Sequence, residues 1–390
     1  MFFCIMAMAI LTPGARGSRQ EFRGAWVTAW NHGFLTLSEA DQTVAAAKSA
    51  NINALFIQVR KVGDAYYSSE YEPRGSNIPD PGFDPLAYII EKAHAEGIEV
   101  HAWINVLRVQ SGATVSAAPG HVCAVHPEWL TCDATGCVKA PDGVFLDPGA
   151  PEVQTYTLKV VADLLSKYAV DGLHLDYIRY PGCEWGYNRT SVERFNKAYG
   201  KTGTPAVSDP QWSDWRRNQV TSLVRKIYAQ VGETRPDVKV TAATIVWGDY
   251  SNRFADTQAY QSVYQDWASW MREGIVDASV PMNYRNESKP RMAAQYRLWL
   301  DGMKQWEFGR HIYAGLLTTQ NTGTVIGQLQ AGRAHGMNGM VCFQFNADAS
   351  RALLVAAMRR TVYSEPVGAP SMPWKTRFAQ APGQVGSSMP

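Results

Sequence analysis

The segment Asp171–Pro181 places two side chains capable of acid–base chemistry, His174 and Asp176, inside an apolar run. Because side chains alternate across a β-strand, these two share one face and the neighbouring leucines share the other. The leucine face suits packing against helices, so His174 and Asp176 are predicted to face the inside of a sheet. A carboxylate there is costly unless it is hydrogen-bonded, paired or functional. Asp176 is therefore the first candidate for a catalytic carboxylate.

Two other roles for these side chains have to be weighed. Asp176 would be structural if it formed a salt bridge with Arg179 or Arg60 at the mouth of the sheet. Together with His101 and His174 it would form a metal site, but the H-x-H and H-E-x-x-H spacings of such sites are absent. We therefore expect no metal and no cofactor, and interpret both histidines as neutral donors to ligand hydroxyls or to Asp176.

The elements that position these residues alternate between short β-rich runs and helical stretches, eight times over. The predicted strands are Arg23–Trp30, Ala54–Arg60, Glu99–Val106, Gly172–Tyr180, Lys239–Trp247, Asp277–Tyr284, His311–Leu317 and Gly339–Phe345. The predicted helices are Glu39–Ala50, Pro85–Glu96, Glu152–Tyr168, Trp212–Val231, Tyr260–Arg272, Arg291–Met303, Val325–His335 and Ser350–Arg360. Such alternation indicates parallel strands with helical crossovers, and eight units fit a closed barrel better than an open sheet. The fold class is therefore α/β, a single (β/α)8 TIM barrel.

Barrels of this kind carry their active sites at the C-terminal ends of the strands. The longest irregular insert, between Leu107 and Pro148, follows the third strand and is predicted to lie over that face. The polar and aromatic residues that end the strands or follow them are the candidate ligand-binding residues. They are Trp30, Gln58, Arg60, Asp64, His101, Trp103, Asn105, His174, Tyr177, Arg179, Trp247, Asn283, Tyr284 and Gln344.

The amino-acid composition limits the classes of molecule that the protein is expected to bind. The net charge is +2, charged residues make up 18% of the chain, and no basic stripe recurs. This argues against nucleic acid and against an anionic membrane surface. The chain has 13 Trp, 18 Tyr and 13 Phe, and aromatic faces stack on the C–H faces of sugar rings. We expect a polysaccharide or oligosaccharide as the partner and a monomeric protein.

The two ends of the chain are predicted to lie outside the barrel domain, which spans residues 21–360. Residues 1–20 contain a short apolar run followed by small residues spaced as in a signal-peptidase site, although the basic n-region is missing. We expect export, with no stable membrane span, because the run is too short to cross a bilayer. Residues 361–390 are rich in Pro, Gly and Ser and are predicted to form a disordered tail.

Four cysteines lie in two predicted loops, and an exported protein is expected to oxidise them. Cys132 and Cys137 are close enough in sequence to pair, which leaves Cys123 with Cys183. Cys342 lies inside an apolar strand and is expected to be a free thiol. A zinc site formed by the four loop cysteines is the alternative, although no C-x-x-C spacing is present.

Several ordered motifs resemble those of the glycosyl hydrolase-like family 10 domain, found in bacterial exported proteins. The resemblance covers roughly Glu21 to Phe345 and rests on nine motifs that follow one another in this order. They are Glu21–Trp26, Gln58–Arg60, Asp64–Tyr67, Glu72–Pro73, Asp80–Leu86, His101–Asn105, His126–Trp129, Leu146–Gly149 and the Asp171–Pro181 segment.

The resemblance implies a TIM barrel related to the α-amylase and α-galactosidase group, whose nucleophile is an Asp at the end of the fourth strand. Asp176 stands at that position. Many relatives carry two adjacent acids there, whereas this chain has Asp176 followed by Tyr177. In α-amylase-like barrels the proton donor follows the fifth strand, which ranks Asp249 first as the second catalytic carboxylate and Glu287, after the sixth strand, next.

The function predicted from these observations is hydrolysis of an O-glycosidic bond in a bacterial envelope glycan, peptidoglycan being one candidate, or in an environmental polysaccharide. Such hydrolysis uses two carboxyl groups. The alternative is a catalytically silent carbohydrate-binding barrel that kept the cleft and lost the acid. A polysaccharide deacetylase or lyase is a third reading.

Overall fold

Eight parallel strands close into a barrel in the computed structural model of the chain, which describes residues 19–112, 118–347 and 350–375. In chain order the strands are β1 (Phe22–Val27), β2 (Ala54–Arg60), β3 (Glu99–Asn105), β4 (Arg108–Gln110), β5 (Val144–Phe145), β6 (Gly172–Asp176), β7 (Lys239–Thr244), β8 (Ala278–Pro281), β9 (His311–Leu317) and β10 (Gly339–Phe343). The barrel order is β1-β10-β9-β8-β7-β6-β3-β2, and β1 pairs with β2 to complete the ring. The predicted barrel is confirmed.

Helices connect successive barrel strands. Over the described ranges they are α1 (Leu37–Ser49), α2 (Pro85–Ala95), α3 (Val122–Val125), α4 (Pro151–Lys167), α5 (Arg189–Tyr199), α6 (Pro210–Thr234), α7 (Gln258–Gln261), α8 (Trp267–Glu273), α9 (Pro290–Gln305), α10 (Thr322–Ala334) and α11 (Arg351–Arg360). Side-chain oxygens of Thr36, Asp84, Asp209 and Asn321 cap the N-termini of α1, α2, α6 and α10. These caps accept backbone N–H groups that the first helical turn leaves unpaired. None of the described helices is long and apolar enough to cross a membrane.

Aromatic rings fill the inside of the barrel. Phe22 stacks on Tyr313 with ring centroids 4.0 Å apart, and Phe56 lies 4.9 Å from the ring of His101 and 4.4 Å from that of His174. The interior is therefore a packed core rather than a channel, as is usual for this fold. A ligand can enter only above this core, at the C-terminal ends of the strands.

The long insert after β3 forms a short antiparallel hairpin from β4 and β5. Gly143, just before β5, has φ +129°, and a Cβ there would lie 1.9 Å from the carbonyl oxygen of Gln110. Only glycine permits this close approach of the two strands. The hairpin holds this part of the insert against the mouth of the barrel, where it was predicted to lie.

Several predicted elements end earlier than their apolar patterns suggested. The fourth barrel strand, β6, ends at Asp176 because Tyr177 adopts a left-handed conformation with φ +48°. The single helix predicted over Tyr260–Arg272 is instead α7 and α8, separated at Tyr264, which has φ +57°. A bulky residue with positive φ cannot continue a regular strand or helix. The local patterns do not reveal these conformations.

The C-terminal segment departs from the predicted disordered tail as far as Lys375. Tyr363 is 1% exposed and Met372 is 7% exposed, and both pack against the barrel. The indole N–H of Trp374 donates to the buried carboxylate of Asp277 at 2.8 Å. Residues 361–375 therefore cover the N-terminal end of the barrel. The predicted leader lies almost wholly outside the described residues, as does the tail beyond Lys375.

The two predicted disulfides are absent, and all five described cysteines are free. Cys123 is buried in the core beneath the β4–β5 hairpin, whereas Cys183 follows β6 and contacts helix α6 and Tyr264 through its carbonyl oxygen. Cys132 and Cys137 flank a turn closed by backbone bonds to Asp133. Closeness in sequence did not bring the sulfur atoms to bonding distance, which requires Cβ atoms about 3.5–4.5 Å apart.

Candidate active site

A cavity of about 280 Å³ opens at the C-terminal ends of the barrel strands. Its lining combines aromatic rings with a few polar groups, as is typical of ligand pockets. The lining residues are Trp26, Thr28, Trp30, Gln58, Trp103, Asn105, Arg108, Asp176, Tyr177, Arg179, Ala243, Trp247, Met282, Tyr284 and Phe343. Within the part of the chain that the structure describes, Asp176 is the acidic residue of this lining. The cavity therefore centres on the residue that the sequence ranked first.

The Asp176 carboxylate is held by two hydrogen bonds from its own neighbourhood. The backbone N–H of Tyr177 donates to Oδ1 at 2.7 Å, and the indole N–H of Trp103 donates to Oδ2 at 3.1 Å. The same indole N–H lies 3.1 Å from Oδ1 of Asn105. No ion pair of Asp176 occurs among the described residues, since Arg60 pairs with Glu72 and Arg179 with Asp142. The salt-bridge role considered for Asp176 is therefore not what the geometry shows.

Burial raises the pKa of Asp176 above its ordinary value, because a carboxylate loses hydration when it leaves water. The backbone N–H of Tyr177, the Arg179 guanidinium, the Trp103 indole and the Arg108 guanidinium act in the opposite direction but do not cancel the effect. A carboxyl group with a raised pKa can hold a proton for donation to a leaving oxygen. This is the property that a general acid requires.

Two guanidinium groups flank the ring of Tyr177. The Cζ atoms of Arg108 and Arg179 each lie 4.8 Å from its centroid, and Nη1 of Arg108 donates to the Tyr177 hydroxyl at 3.3 Å. Nη2 of Arg179 contacts Oδ2 of Asp142 at 3.1 Å. Sequence analysis predicted Tyr177 and Arg179 as binding residues but missed Arg108 and Asp142. Both lie in the insert after β3, whose hairpin has no strong sequence signal.

Two tryptophans form the rim of the cavity. Trp30 is 46% exposed and Trp247 is 38% exposed, and both line the opening. Nζ of Lys61 lies 4.5 Å from the Trp30 ring, and the Arg179 guanidinium lies 5.1 Å from the Trp247 ring. Trp103, by contrast, is 4% exposed and lies deep in the cavity. It positions the carboxyl group of Asp176 and offers little face for stacking.

Amide side chains and aromatic rings together form the floor of the cavity. Oε1 of Gln58 accepts the backbone N–H of Ala29 at 3.0 Å, and Nδ2 of Asn105 donates to the carbonyl oxygen of Lys61 at 2.6 Å. Tyr284 stacks on Phe343 with centroids 5.5 Å apart. Burial raises the pKa of the Tyr284 phenol well above its ordinary value, with Asp176 adding to the effect. This hydroxyl therefore remains a neutral donor.

The two acids predicted as partners of Asp176 lie outside the cavity lining. Asp249 is exposed and forms an ion pair with Arg291 at 2.5 Å. Glu287 pairs with Arg297 at 3.1 Å and has a largely covered side chain. Each is neutralised by an arginine of helix α9. The structure does not bring either of them together with Asp176.

Both interior histidines lie below the cavity. Trp26 donates its indole N–H to Nε2 of His174 at 3.0 Å, which leaves Nδ1 of His174 to donate to Oγ1 of Thr241 at 2.8 Å. Burial, with His101 nearby, lowers the pKa of His174 well below its ordinary value, so the ring is neutral. His101 pairs through Nε2 with Glu99 at 3.0 Å. Neither ring reaches the cavity, and no described group of three or more His, Cys, Asp or Glu is placed to hold a metal.

Four other predicted binding residues are not part of the cavity lining and make contacts within the fold instead. Arg60 is bound in a buried pair to Glu72, with Oε1 at 2.6 Å. Asp64 accepts the backbone N–H of Val62 at 2.8 Å and shapes the loop after β2. Asn283 faces outward, where Nδ2 donates to a carbonyl oxygen of α9 at 3.0 Å. Gln344 contacts Nδ2 of Asn31 at 3.4 Å near the rim but is not part of the lining.

A model of the family described as glycosyl hydrolase-like 10 matches residues 21–325 of the chain. The chain belongs to this family. The resemblance inferred from the motifs is thereby confirmed, and Asp176 occupies the fourth-strand position that the motifs marked. The match includes β4, β5 and the hairpin that brings Arg108 into the cavity lining of this glycosyl hydrolase-like 10 chain and Asp142 into contact with Arg179.

Curated relatives of this family member are named glycosyl hydrolases. The chain is 31% identical to glycosyl hydrolase DigH of Escherichia coli (strain K12) over 281 residues, 65% of this chain and 60% of that protein. It is 30% identical to glycosyl hydrolase YngK of Bacillus subtilis (strain 168) over 247 residues, 60% of this chain and 46% of that protein. The chain thus spans about half to three fifths of the length of these relatives.

Solved structures of TIM-barrel glycoside hydrolases share the fold of the glycosyl hydrolase-like 10 chain. The glycoside hydrolase domain of PgaB (BpsB) from Bordetella bronchiseptica matches with a TM-score of 0.63 at 13% identity, covering 87% of this chain and 99% of that one. The catalytic domain of beta-amylase from Paenibacillus polymyxa matches with a TM-score of 0.62 at 13% identity, covering 89% and 99%. At such identities the likeness concerns the fold alone.

Proposed function

We propose that this protein hydrolyses an O-glycosidic bond, with Asp176 as the group that protonates the leaving oxygen rather than as the nucleophile that the family resemblance implied. The observation that carries the proposal is a buried carboxyl group with a raised pKa, facing a cavity at the C-terminal ends of the barrel strands. Glycosidases require such a proton donor. The family and the glycosidase barrels that share the fold support this class of reaction.

A second carboxyl group is needed to activate water or to act as the nucleophile. We assign this role to Asp142, on the loop before β5. Its Oδ2 contacts Arg179, which lines the cavity, and its Oδ1 is buried without a hydrogen-bond partner among the described residues. A buried unpaired carboxylate oxygen is costly and is a ready acceptor for a water proton. Asp249 is a weaker candidate, because its partner Arg291 lies outside the cavity lining, whereas the partner of Asp142 belongs to it.

We further propose that the substrate is a glycan of the bacterial envelope, with peptidoglycan among the candidates, or an environmental polysaccharide. The exposed faces of Trp30 and Trp247 at the rim suit stacking of sugar rings on either side of the buried cavity. Export and a monomeric state remain part of the proposal. The names of DigH and YngK, both glycosyl hydrolases, agree with hydrolysis of a glycoside.

A catalytically silent carbohydrate-binding barrel is the second candidate. It is favoured by one observation: a single acidic residue lines the cavity over the described ranges, while Asp249 and Glu287 are held in ion pairs outside it. Such a protein would keep the rim tryptophans and the polar floor and would bind glycans without cleaving them. Turnover is what separates the two candidates.

The test incubates the protein with a panel of glycans, including peptidoglycan strands, and measures new reducing ends. Asp176→Asn is expected to lower kcat by about 10²–10⁴-fold, the range typical of a lost general acid. Asp249→Asn is the matched control, because it makes the same chemical change at an exposed ion pair, and it should keep wild-type turnover. Glycan binding without new reducing ends in the wild type would favour the silent barrel. Equal losses of kcat in the two variants would indicate that Asp249 takes part in the reaction.

A further inference from the structure

Arg108 is a cavity residue whose charge has no acidic partner in the structure. It lies at the start of β4, and its guanidinium stands over the ring of Tyr177 at 4.8 Å. Its hydrogen bond to the Tyr177 hydroxyl is long, at 3.3 Å, and its buried Nε has no partner. Within residues 19–112, 118–347 and 350–375, Arg108 forms no salt bridge.

Two fully buried arginines of this chain are compensated by acids. Arg60 pairs with Glu72 at 2.6 Å, and Arg23 pairs with Glu21 at 2.9 Å. Arg285, whose Nε also lacks a partner, donates instead to the backbone carbonyl oxygens of Val246 and Gly248 at 2.6 and 2.7 Å. Arg108 has neither kind of partner. Donors left unpaired at a cavity wall are ready to bind an incoming acceptor.

The charges around the cavity leave Arg108 uncompensated in the state that the proposed reaction requires. Arg179 is neutralised by Asp142 at 3.1 Å. Asp176 carries no charge while it holds the proton to be donated, a form that burial favours and that the Arg108 charge opposes. The lining then holds one unpaired positive charge within a largely aromatic wall. A single negative charge on the ligand would balance it at low desolvation cost.

We infer that Arg108 binds the carboxylate of an acidic sugar, so that the substrate of this site is an anionic glycan whose sugar residue carries a carboxyl group. This inference rests on the proposed function, because it names the class of sugar that Asp176 would act on. The planar guanidinium can take a carboxylate through two parallel hydrogen bonds. The cavity of about 280 Å³ lies at the small end of ligand pockets, so one substituted sugar ring fills it.

The test measures Kd by NMR titration for matched pairs of sugars that differ in a carboxyl group. The pairs are methyl glucuronide with methyl glucoside, and N-acetylmuramic acid with N-acetylglucosamine. We expect the acidic member of at least one pair to bind 10-fold or more tightly, and added salt to reduce this preference. Equal binding of acidic and neutral members in both pairs would overturn the inference. Tighter binding of glucose 6-phosphate than of either carboxylated sugar would also overturn the inference, because it would indicate a phosphate site.

Variants at Arg108 assign the preference to this residue. Arg108→Gln should abolish the preference for the acid, and Arg108→Lys should retain part of it, about threefold, because the charge remains without the planar fork. Arg272→Gln is the control: its guanidinium also lies over an aromatic ring, Phe308 at 4.5 Å, but outside the cavity. It should keep the full preference. If Arg108→Gln does not fold, loss of part of the preference in Arg108→Lys decides the matter.

The outcome is separable from that of the proposed function. Preferential binding of acidic sugars with no new reducing ends from any glycan would contradict hydrolysis and leave the inference intact. Hydrolysis of neutral glycans with no preference for acidic ones would contradict the inference and leave hydrolysis intact. A preference that persists in Arg108→Gln would place the carboxylate elsewhere and overturn the role of Arg108.

Discussion

The cavity keeps Asp176 in surroundings that oppose its charge, which has a consequence for stability as well as for catalysis. Asp176 is 8% exposed, and burial raises the pKa of its carboxyl group in the folded state. The folded protein therefore binds a proton more readily than the unfolded chain does. Between the two pKa values stability falls as the pH rises, and above both the full cost of the buried charge remains.

Asp176→Asn removes that titration, and we expect the variant to be more stable than the wild type at neutral pH. The gain should shrink as the pH falls toward the ordinary pKa of an aspartate, because the wild-type group is then protonated in the fold. Thermal midpoints measured for both proteins from about pH 3.5 to pH 8 would check this. A variant that is less stable than the wild type at neutral pH would show that the charged form is favoured in the fold.

Asp142 offers a second test at the scale of one residue. If it activates water, Asp142→Asn should lower kcat by about 10²-fold or more while glycan affinity changes little, because the amide keeps its size and still reaches Arg179. Steady-state kcat and KM with the best glycan of the panel would be compared with those of Glu287→Gln, an acid paired outside the cavity. A KM effect alone would make Asp142 a positioning residue for Arg179.

The sequence was sufficient to predict that Asp176 faces the mouth of the barrel and insufficient to predict that Asp249 and Glu287 lie outside the cavity lining. The alternation of His174 and Asp176 along one strand predicts which side faces the interior, because strand geometry is local. Asp249 and Glu287 were ranked by the strand that each follows, as the resemblance to α-amylase-like barrels implied, and strand order does not predict where the loops after the strands turn. Their pairing with Arg291 and Arg297 arises from helix α9, far along the chain. Contacts of that kind carry no local signal.

At the scale of elements, Asp147 joins the insert after β3 to the segments that follow it. Its Oδ1 accepts bonds from the backbone N–H of Gly149 at 2.8 Å and the hydroxyls of Tyr180 and Ser191 at 2.9 Å. Its Oδ2 accepts the hydroxyl of Thr131 at 3.0 Å. The residue is fully buried. It fixes the loop that carries Asp142 and the β4–β5 hairpin against the chain after β6.

Asp147→Ala is expected to be strongly destabilising, because each buried donor left without an acceptor costs roughly 1–3 kcal/mol. Asp147→Asn should be milder, since its amide oxygen can still accept the bonds made to Oδ1. Asp133→Ala, which removes a more exposed turn aspartate of the same insert, is the control and should change the thermal midpoint little. Chemical denaturation of the three variants would rank them. Equal stability of Asp147→Ala and the wild type would contradict this role.

Periodicity predicted the existence of the regular elements better than their ends. The eight barrel strands and most helices could be predicted from apolar patterns, because the spacing of apolar residues along a segment reflects which of its side chains are buried. Helix α5 was missed, although Asn188 caps its start and Gly200 ends it in a left-handed conformation. Only Ser191 and Phe195 of this helix are buried, so its sequence shows little apolar pattern. The β4–β5 hairpin was missed because it is too short for a pattern to register.

At the scale of the molecule, residues 361–375 act as a cover for the N-terminal end of the barrel. Residue Gln20 bridges Gly368, and Arg23 donates to the carbonyl oxygen of Glu365 at 2.7 Å. At the far side, Asp277 is buried and receives the indole N–H of Trp374 at 2.8 Å and Nζ of Lys375 at 3.2 Å. Composition suggested a disordered tail, yet these few anchors order the segment.

Deletion of residues 361–390 should therefore destabilise the barrel, whereas deletion of 376–390 alone keeps every contact named above and should not. Exposure of the groups that contact Tyr363 and Met372 would cost roughly 3–6 kcal/mol, at about 1.5–3 kcal/mol for each buried side chain. Because the cavity lies at the opposite end, kcat of the longer deletion at low temperature should stay near that of the wild type. Thermal midpoints and turnover of both truncations, with Trp374→Phe to isolate the bond to Asp277, would measure this. Equal midpoints for the two truncations would show that the cover contributes no stability.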